Sequence, residues 1–299
     1  MLFVATLISA PAAPALDDAA LACARGALPA AGEPRWLDTA VAVDIPFEAG
    51  DAIEPRAADA VRAALGTRPV DVVVQPAERR RKKLLLADMD STMIGQECID
   101  ELADYVGKKA HVAAITERAM RGEIEFAPAL RERVGLLAGL PESVIEEVIA
   151  RRITLMPGGP ALVATMRANG AHTCLVSGGF TQFTHRIAAM IGFDEDRANT
   201  LLVGPDGKLT GRVAEPVLGR EAKLATLIDL RTKFALDHAD TLVVGDGAND
   251  LAMIEDAGLG VAYHAKPKVA AAAAARIDHG DLTALLHAQG YARDEFVAT

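Results

Sequence analysis

Three short apolar runs in the latter part of the chain, Leu84 to Ala87, Thr173 to Val176 and Thr241 to Val244, each give way to a turn rich in Gly, Asp or Ser and then to a helical pattern. A strand with one face in water alternates apolar and polar residues. A run that is apolar throughout needs both faces covered. Such runs alternating with helices predict a parallel sheet between helical layers, an α/β architecture. In sheets of this kind ligands lie beyond the carboxyl ends of the strands. The polar clusters after the three runs are therefore the first place to look for chemistry.

Residues 2 to 75 follow another grammar. An apolar run Leu2 to Ile8, a helical pattern Asp17 to Leu28, strand-like Trp36 to Ile45, a helical pattern Ala52 to Leu65 and Val70 to Val74 predict a small α+β domain over residues 1–76. The apolar opening Met1 to Leu16 has no Lys or Arg before it and is closed by Asp17 and Asp18, so it reads as a strand and turn, not a leader. Pro76 and the basic run Arg79, Arg80, Arg81, Lys82 and Lys83 then mark a linker over 77–83, ahead of a second domain over 84–299. With a formal net charge of -10, a solvated linker is favoured over a nucleic-acid or membrane contact. No stretch has the ~18 consecutive apolar residues of a membrane helix. The three separated cysteines, Cys23, Cys98 and Cys174, suit a reducing compartment, and the expected location is the cytoplasm.

Residues 97–156 show about four helical patterns and no strand candidate, which predicts a helical cap inserted over the site. In the third pattern Phe126, Leu130 and Leu137 share a face with Arg133, while Arg131 and Glu132 point away. A charge on an apolar stripe needs a partner. Leu201 to Leu209 reads as a hairpin turning at Asp206-Gly207. The alanines Ala270 to Ala275 read as a small-residue helix surface.

Four clusters carry candidate chemistry. Asp88 and Asp90, two residues apart at a strand end, can divide the roles of nucleophile and proton donor, although a turn or helix cap is the commoner use of Asp-x-Asp. Ser177-Gly178-Gly179 offers a hydroxyl and free amides to a phosphate, with glycines opening a helix. Lys223, on the helical pattern Arg220 to Leu230, reads as a surface lysine when taken alone. Asp246-Gly247-Ala248-Asn249-Asp250 places hard oxygen ligands at a buried strand end, a pattern that suits Mg²⁺.

In this order and on a parallel-sheet pattern, the clusters resemble the four-motif signature of the haloacid dehalogenase superfamily over about residues 84 to 290. The stretches Asp88 to Thr92, Glu97, Leu130 to Val134, Val176 to Phe180 and Gly245 to Asp250 narrow the resemblance to the branch that hydrolyses O-phosphoserine. That resemblance implies a Rossmann-like core with a helical cap and a Mg²⁺-dependent reaction through an aspartyl-phosphate, the last step of serine biosynthesis. It implies Asp88 as nucleophile, Asp90 as general acid and base, and Mg²⁺ held by Asp88, the Asp90 backbone carbonyl and Asp246, with Asn249 and Asp250 supporting. Ser177, the Gly178 amide and Lys223 would hold the phosphoryl oxygens, with Asn249 beside the substrate. Arg133 would take the substrate carboxylate and Glu97 its ammonium, and Met120 and Phe126 would close the apolar side. Transfer to a second alcohol such as homoserine, and a non-catalytic amino-acid sensor, are the alternatives. The element order of residues 1 to 75 resembles an ACT-like regulatory domain. Such folds leave sheet edges and one sheet face available, which implies a homodimer through this domain. Serine regulation and a role confined to folding or association both stand as readings.

Overall fold

The computed structural model describes residues 1–50, 54–120 and 123–299, apart from the side chains of Glu54, Pro55 and Met120. The Ala52 start of the second helical pattern lies outside these residues. The chain opens with β1 (Leu2–Ser9), α1 (Asp18–Gly26), β2 (Arg35–Asp38), β3 (Ala42–Glu48), α2 (Glu54–Leu65) and β4 (Val70–Pro76). Asp17 caps α1 by accepting from the Ala20 N–H at 2.7 Å. The strand-like stretch from Trp36 is a hairpin, β2 and β3, turning through Ala40 at φ 61°.

β5 (Leu84–Ala87) begins the larger part, followed by α3 (Cys98–Tyr105), α4 (Lys109–Met120), α5 (Phe126–Gly135), α6 (Ser143–Arg151) and α7 (Gly159–Ala168). Next come β6 (His172–Phe180), α8 (Thr181–Ile191), β7 (Glu195–Asn199), β8 (Leu201–Val203), β9 (Leu209–Val213) and α9 (Arg220–Lys233). The chain continues through β10 (Thr241–Gly245), α10 (Leu251–Glu255), β11 (Leu259–Tyr263), α11 (Pro267–Ala272), β12 (Ala275–Ile277) and α12 (Ala284–Ala288).

Six strands form a parallel sheet in the order β12-β11-β10-β5-β6-β7. The chain enters at β5 in the middle, winds outward through β6 and β7, then crosses back to β10 and winds the other way. The carboxyl end of β5 is therefore the switch point, where a crevice opens. Leu84, Leu85 and Leu86 have no exposed surface, as the continuous apolar run demands, and each buried leucine contributes about 2 kcal/mol.

Helices α3 to α6 stand between two legs of chain that pair with each other. The Gly95 N–H donates to the Thr154 carbonyl and the Met156 N–H to the Met93 carbonyl, both at 3.0 Å. On α5, Leu130 is buried while Arg131 and Glu132 are exposed, which follows the predicted helical face. The β8–β9 hairpin turns at Gly207, φ 71°, and grips the end of this helical layer: Gly139 donates to Leu209 and Leu209 to Leu140, each at 2.8 Å.

Four expectations need correction. The N-terminal strands form an antiparallel sheet in the order β2-β3-β1-β4. Its β1 buries Phe3, Ala5 and Leu7 among α1 and α2. The opposite face, with Thr6 and Ile8, is buried as well, because α12 lies against β1. The β4 edge lies beside β12, so the face on which the homodimer expectation rested is covered.

The basic run, expected as a solvated linker, is a clamp. Arg80 is buried and gripped by both oxygens of Asp44 at 2.8 Å, and Lys82 Nζ bonds the carbonyls of Arg79 (3.1 Å) and Ala239 (2.9 Å). The composition could not reveal that acids and carbonyls from distant segments converge on these side chains. The alanine run is split, since α11 ends at Ala272 and Ala275 starts β12. Gly178 and Gly179 continue β6 and do not open a helix; α8 begins at Thr181.

Candidate active site

The carboxyl end of β5 delivers Asp88, whose N–H is anchored to the Val244 carbonyl of β10 at 3.0 Å. Three residues on, Ser91 takes a left-handed conformation, φ 58°, at a cost of roughly 1–2 kcal/mol for a residue with a Cβ. This turn folds the chain back so that Met93 and Ile94 donate to the Met89 carbonyl at 2.9 and 3.1 Å. Asp90 is fixed at both oxygens, accepting from the Cys98 N–H at 2.9 Å and from Ser177 Oγ at 3.3 Å. Ser177 Oγ in turn accepts from the Gly179 N–H at 2.8 Å. A Cβ added to Gly179 would stand 3.0 Å from Ser177 Oγ and 3.1 Å from Asp90 Oδ2, so the glycine keeps room for the carboxylate.

Lys223, in the first turn of α9, is buried under this floor. Its ammonium touches Asp88 Oδ1 and donates to Asp250 Oδ1 at 2.6 Å. Burial alone would lower the lysine pKa; Asp250 and Asp88 outweigh it and hold the ammonium charged. Asp250 also accepts from the Gly247 N–H at 3.0 Å, which ties the β10 turn to the same charge cluster.

Asp88, Asp246 and Asp250 offer oxygens that all lie within 4.8 Å of one another. Burial, then the charge of Asp250, pushes Asp88 well above the usual carboxylate range and Asp246 up to about 6. Three acids facing Lys223, with Lys266 acting on Asp246, are still short of positive charge, and a hard divalent cation among these oxygens would supply it. The donor set fits such an ion.

A cleft of about 370 Å³ lies above this floor and under the helical layer. Asp88, Asp90, Glu97, Phe126, Arg133, Ser177, Gly178, Asp246 and Asn249 line it together, while Lys223 and Asp250 lie beneath. The Met120 side chain lies outside the described residues. Arg133 is buried, with Nε on the Ala129 carbonyl at 3.2 Å and Nη1 on Thr116 Oγ1 at 3.1 Å. Among the described residues it forms no ion pair. Burial lowers its pKa, opposed by Asp100, Glu97 and Asp90. Glu97 keeps contact with solvent at the mouth and accepts from Ser91 Oγ at 2.7 Å; enclosure by the cleft walls and then Asp90 raise it to about 7.

The sequence reading passed over four contributors. Thr116 orients Arg133, while Arg220 and Lys266 line the cleft. Asn199, buried at the end of β7, donates to the carbonyls of Gly178 (2.9 Å) and Leu218 (3.0 Å) and accepts from the Leu218 N–H at 2.7 Å. It thus ties the Ser177 turn to the segment leading into α9. A buried Asn at a strand end was the available signal; Arg220 at the start of a helix and Lys266 just before one carried none.

A parallel α/β sheet with paired acids, a buried lysine and a cation-ready acidic cluster at its switch point defines an enzyme class, the hydrolases that work through a strand-end aspartate. The chain matches the model of the haloacid dehalogenase-like hydrolases over residues 85–255 and belongs to that family. It is 46% identical over 209 residues to a phosphoserine phosphatase of Polaromonas sp., covering 68% of this chain and 88% of that protein. A solved haloacid dehalogenase family hydrolase of Salmonella enterica serovar Typhi superposes with a TM-score of 0.85 at 28% identity, over 98% of this chain and 99% of that one. A substrate-bound phosphoserine phosphatase superposes with a TM-score of 0.64 at 40% identity, over 69% of this chain and 97% of that one.

Proposed function

We propose that the chain is a Mg²⁺-dependent phosphatase that hydrolyses O-phosphoserine to serine and phosphate, completing serine biosynthesis. The observation that carries this reading is the meeting of Asp88, Asp90, Ser177, Lys223 and Asp246 at one switch point, beneath a cleft that also holds Arg133 and Glu97. The 46% identity to a phosphoserine phosphatase supports the substrate.

A carboxylate oxygen of Asp88 attacks phosphorus, forming an Asp88–phosphoryl bond as the bond from phosphorus to the serine oxygen breaks, and Asp90 gives that oxygen its proton. Water then attacks the same phosphorus, loses its proton to Asp90, and frees Asp88 and phosphate. Ser177, the Gly178 N–H and Lys223 hold the phosphoryl oxygens as charge moves among them. Asp88, the Asp90 backbone carbonyl and Asp246 would hold Mg²⁺, with Asn249 and Asp250 supporting. When bound, the ion supplies positive charge to the transferring group. Arg133, with no acid bound to it, has charged N–H groups left for the substrate carboxylate; Glu97 takes the ammonium. Phe126 closes the apolar side.

We place the enzyme in the cytoplasm; among the described residues no helix is long and apolar enough to cross a membrane. A homodimer through the N-terminal sheet would have to use the β2 edge, and serine regulation would act through that same part. Phosphate release across a panel of phosphomonoesters, with Mg²⁺ present or chelated, tests the function. Preference for O-phosphoserine and silence under chelation are expected. Preference for esters without an amino-acid head, or full activity under chelation, refutes it. Adding homoserine separates hydrolysis from transfer, since a transferase would yield phosphohomoserine.

A further inference from the structure

A second polar cleft lies at the seam between the N-terminal sheet and the parallel sheet, with a volume of about 100 Å³. Arg62 from α2 and Arg68 from the turn after it enter from one side, and Arg276 of β12 and His279 from the other. We propose that this seam cleft binds a small oxyanion, a phosphate or a carboxylate group. It shares no residue with the catalytic cleft and does not depend on the phosphatase reading.

The acids in the cleft are already engaged. Asp71 accepts the N–H groups of Asp278 at 2.7 Å, His279 at 3.2 Å and Gly280 at 2.8 Å, so its oxygens are committed to the backbone. Asp278 is paired with Arg276 Nε at 3.1 Å. Three guanidiniums and two acids therefore line the cleft itself. Outside it, Asp59 holds Arg62 Nη1 at 3.0 Å and Asp17 stands 4.0 Å from Arg68.

Arg62 is preorganised, with Nη2 on the Val72 carbonyl at 2.9 Å. Burial and then the charge of Arg276 pull its pKa below the ordinary value, the effect of two guanidiniums crowded together. An oxyanion between them would accept N–H groups from both in the forked geometry that guanidinium favours. The volume is enough for several waters or one such group.

The test is a ¹⁵N amide titration of the full chain with inorganic phosphate and, separately, acetate. Saturable shifts at Asp278, His279 and Gly280 are expected, with affinity reduced about tenfold or more in Arg276→Ala and in Arg68→Ala, the loss of one charged hydrogen bond. Arg68 is partly exposed and anchors nothing in the core, so that variant reads the site even if Arg276→Ala folds poorly. Saturation by phosphate alone assigns a phosphate group, and saturation by acetate a carboxylate. Phosphate bound only in the catalytic cleft would shift the Gly178 and Gly247 amides and leave the seam still, which overturns the proposal. So would seam shifts that are the same in the wild type and both variants.

Discussion

Replacing Arg80 by Met tests whether the basic run is a clamp. Arg80 is 9% exposed and Asp44 3%. The guanidinium makes two 2.8 Å bonds to the Asp44 carboxylate, a third to Thr6 Oγ1 at 2.9 Å, and reaches the Ala288 carbonyl on α12 from Nε at 3.3 Å. Removing one partner of a buried pair costs about 3–5 kcal/mol, because the other charge is left uncompensated. Asp44 would keep the Thr6 hydroxyl at 2.8 Å and the half-open Arg35 at 3.2 Å, so the expected cost lies at the low end, about 3 kcal/mol. Urea denaturation measures it, and Asp44→Asn with the double variant completes a cycle that isolates the pair. Phosphate release per folded molecule should be unchanged, since no cleft residue is touched. A loss below about 1 kcal/mol, the range of an exposed ion pair, would refute the clamp and restore the solvated linker.

Arg133→Ala should lower kcat/KM for O-phosphoserine by about 10- to 100-fold, the equivalent of one charged hydrogen bond, and spare a phosphate ester without a carboxylate. Equal losses on both substrates would remove Arg133 from carboxylate recognition. Ca²⁺ should inhibit in competition with Mg²⁺, because it accepts about 6–8 oxygens and can take both oxygens of Asp88; full turnover with Ca²⁺ alone contradicts the assigned geometry. A chain beginning at Arg81 should retain turnover yet unfold at lower urea, since it loses the covering of α12 by β1 and the Asp71 bonds to residues 278–280. An unchanged unfolding midpoint would show that the seam contributes nothing to stability.

The parallel sheet was legible because Leu84 to Ala87 and Leu242 to Val244 are apolar on every residue, a pattern that only a doubly covered strand explains. The cleft was legible because its acids and the Ser177 turn fall directly after those strands. Lys223 was legible only through the resemblance: nothing in a helical Arg-Glu-Ala-Lys shows that its side chain points under the sheet toward Asp88 and Asp250. The fate of Arg80 was hidden for a related reason, as its partners lie 36 and more than 200 residues away along the chain. Periodicity reports which face of an element is buried, but not which distant carboxylate meets it there. The covered face of β1 had a signal, since Leu2 to Ile8 is nearly as apolar as the central strands, and an antiparallel strand with one open face would alternate.

The most direct measurement is covalent trapping at Asp88. Asp90→Asn should still permit attack while slowing hydrolysis of the product, so brief incubation with phosphate-labelled O-phosphoserine and Mg²⁺, followed by acid quench and peptide mapping, should find label on the peptide carrying Asp88. The label should be released by hydroxylamine, as an acyl phosphate is, and be absent from Asp88→Asn, which should also release no phosphate. Label on another residue, or phosphate release by a folded Asp88→Asn chain, would contradict the assignment of Asp88 as the nucleophile.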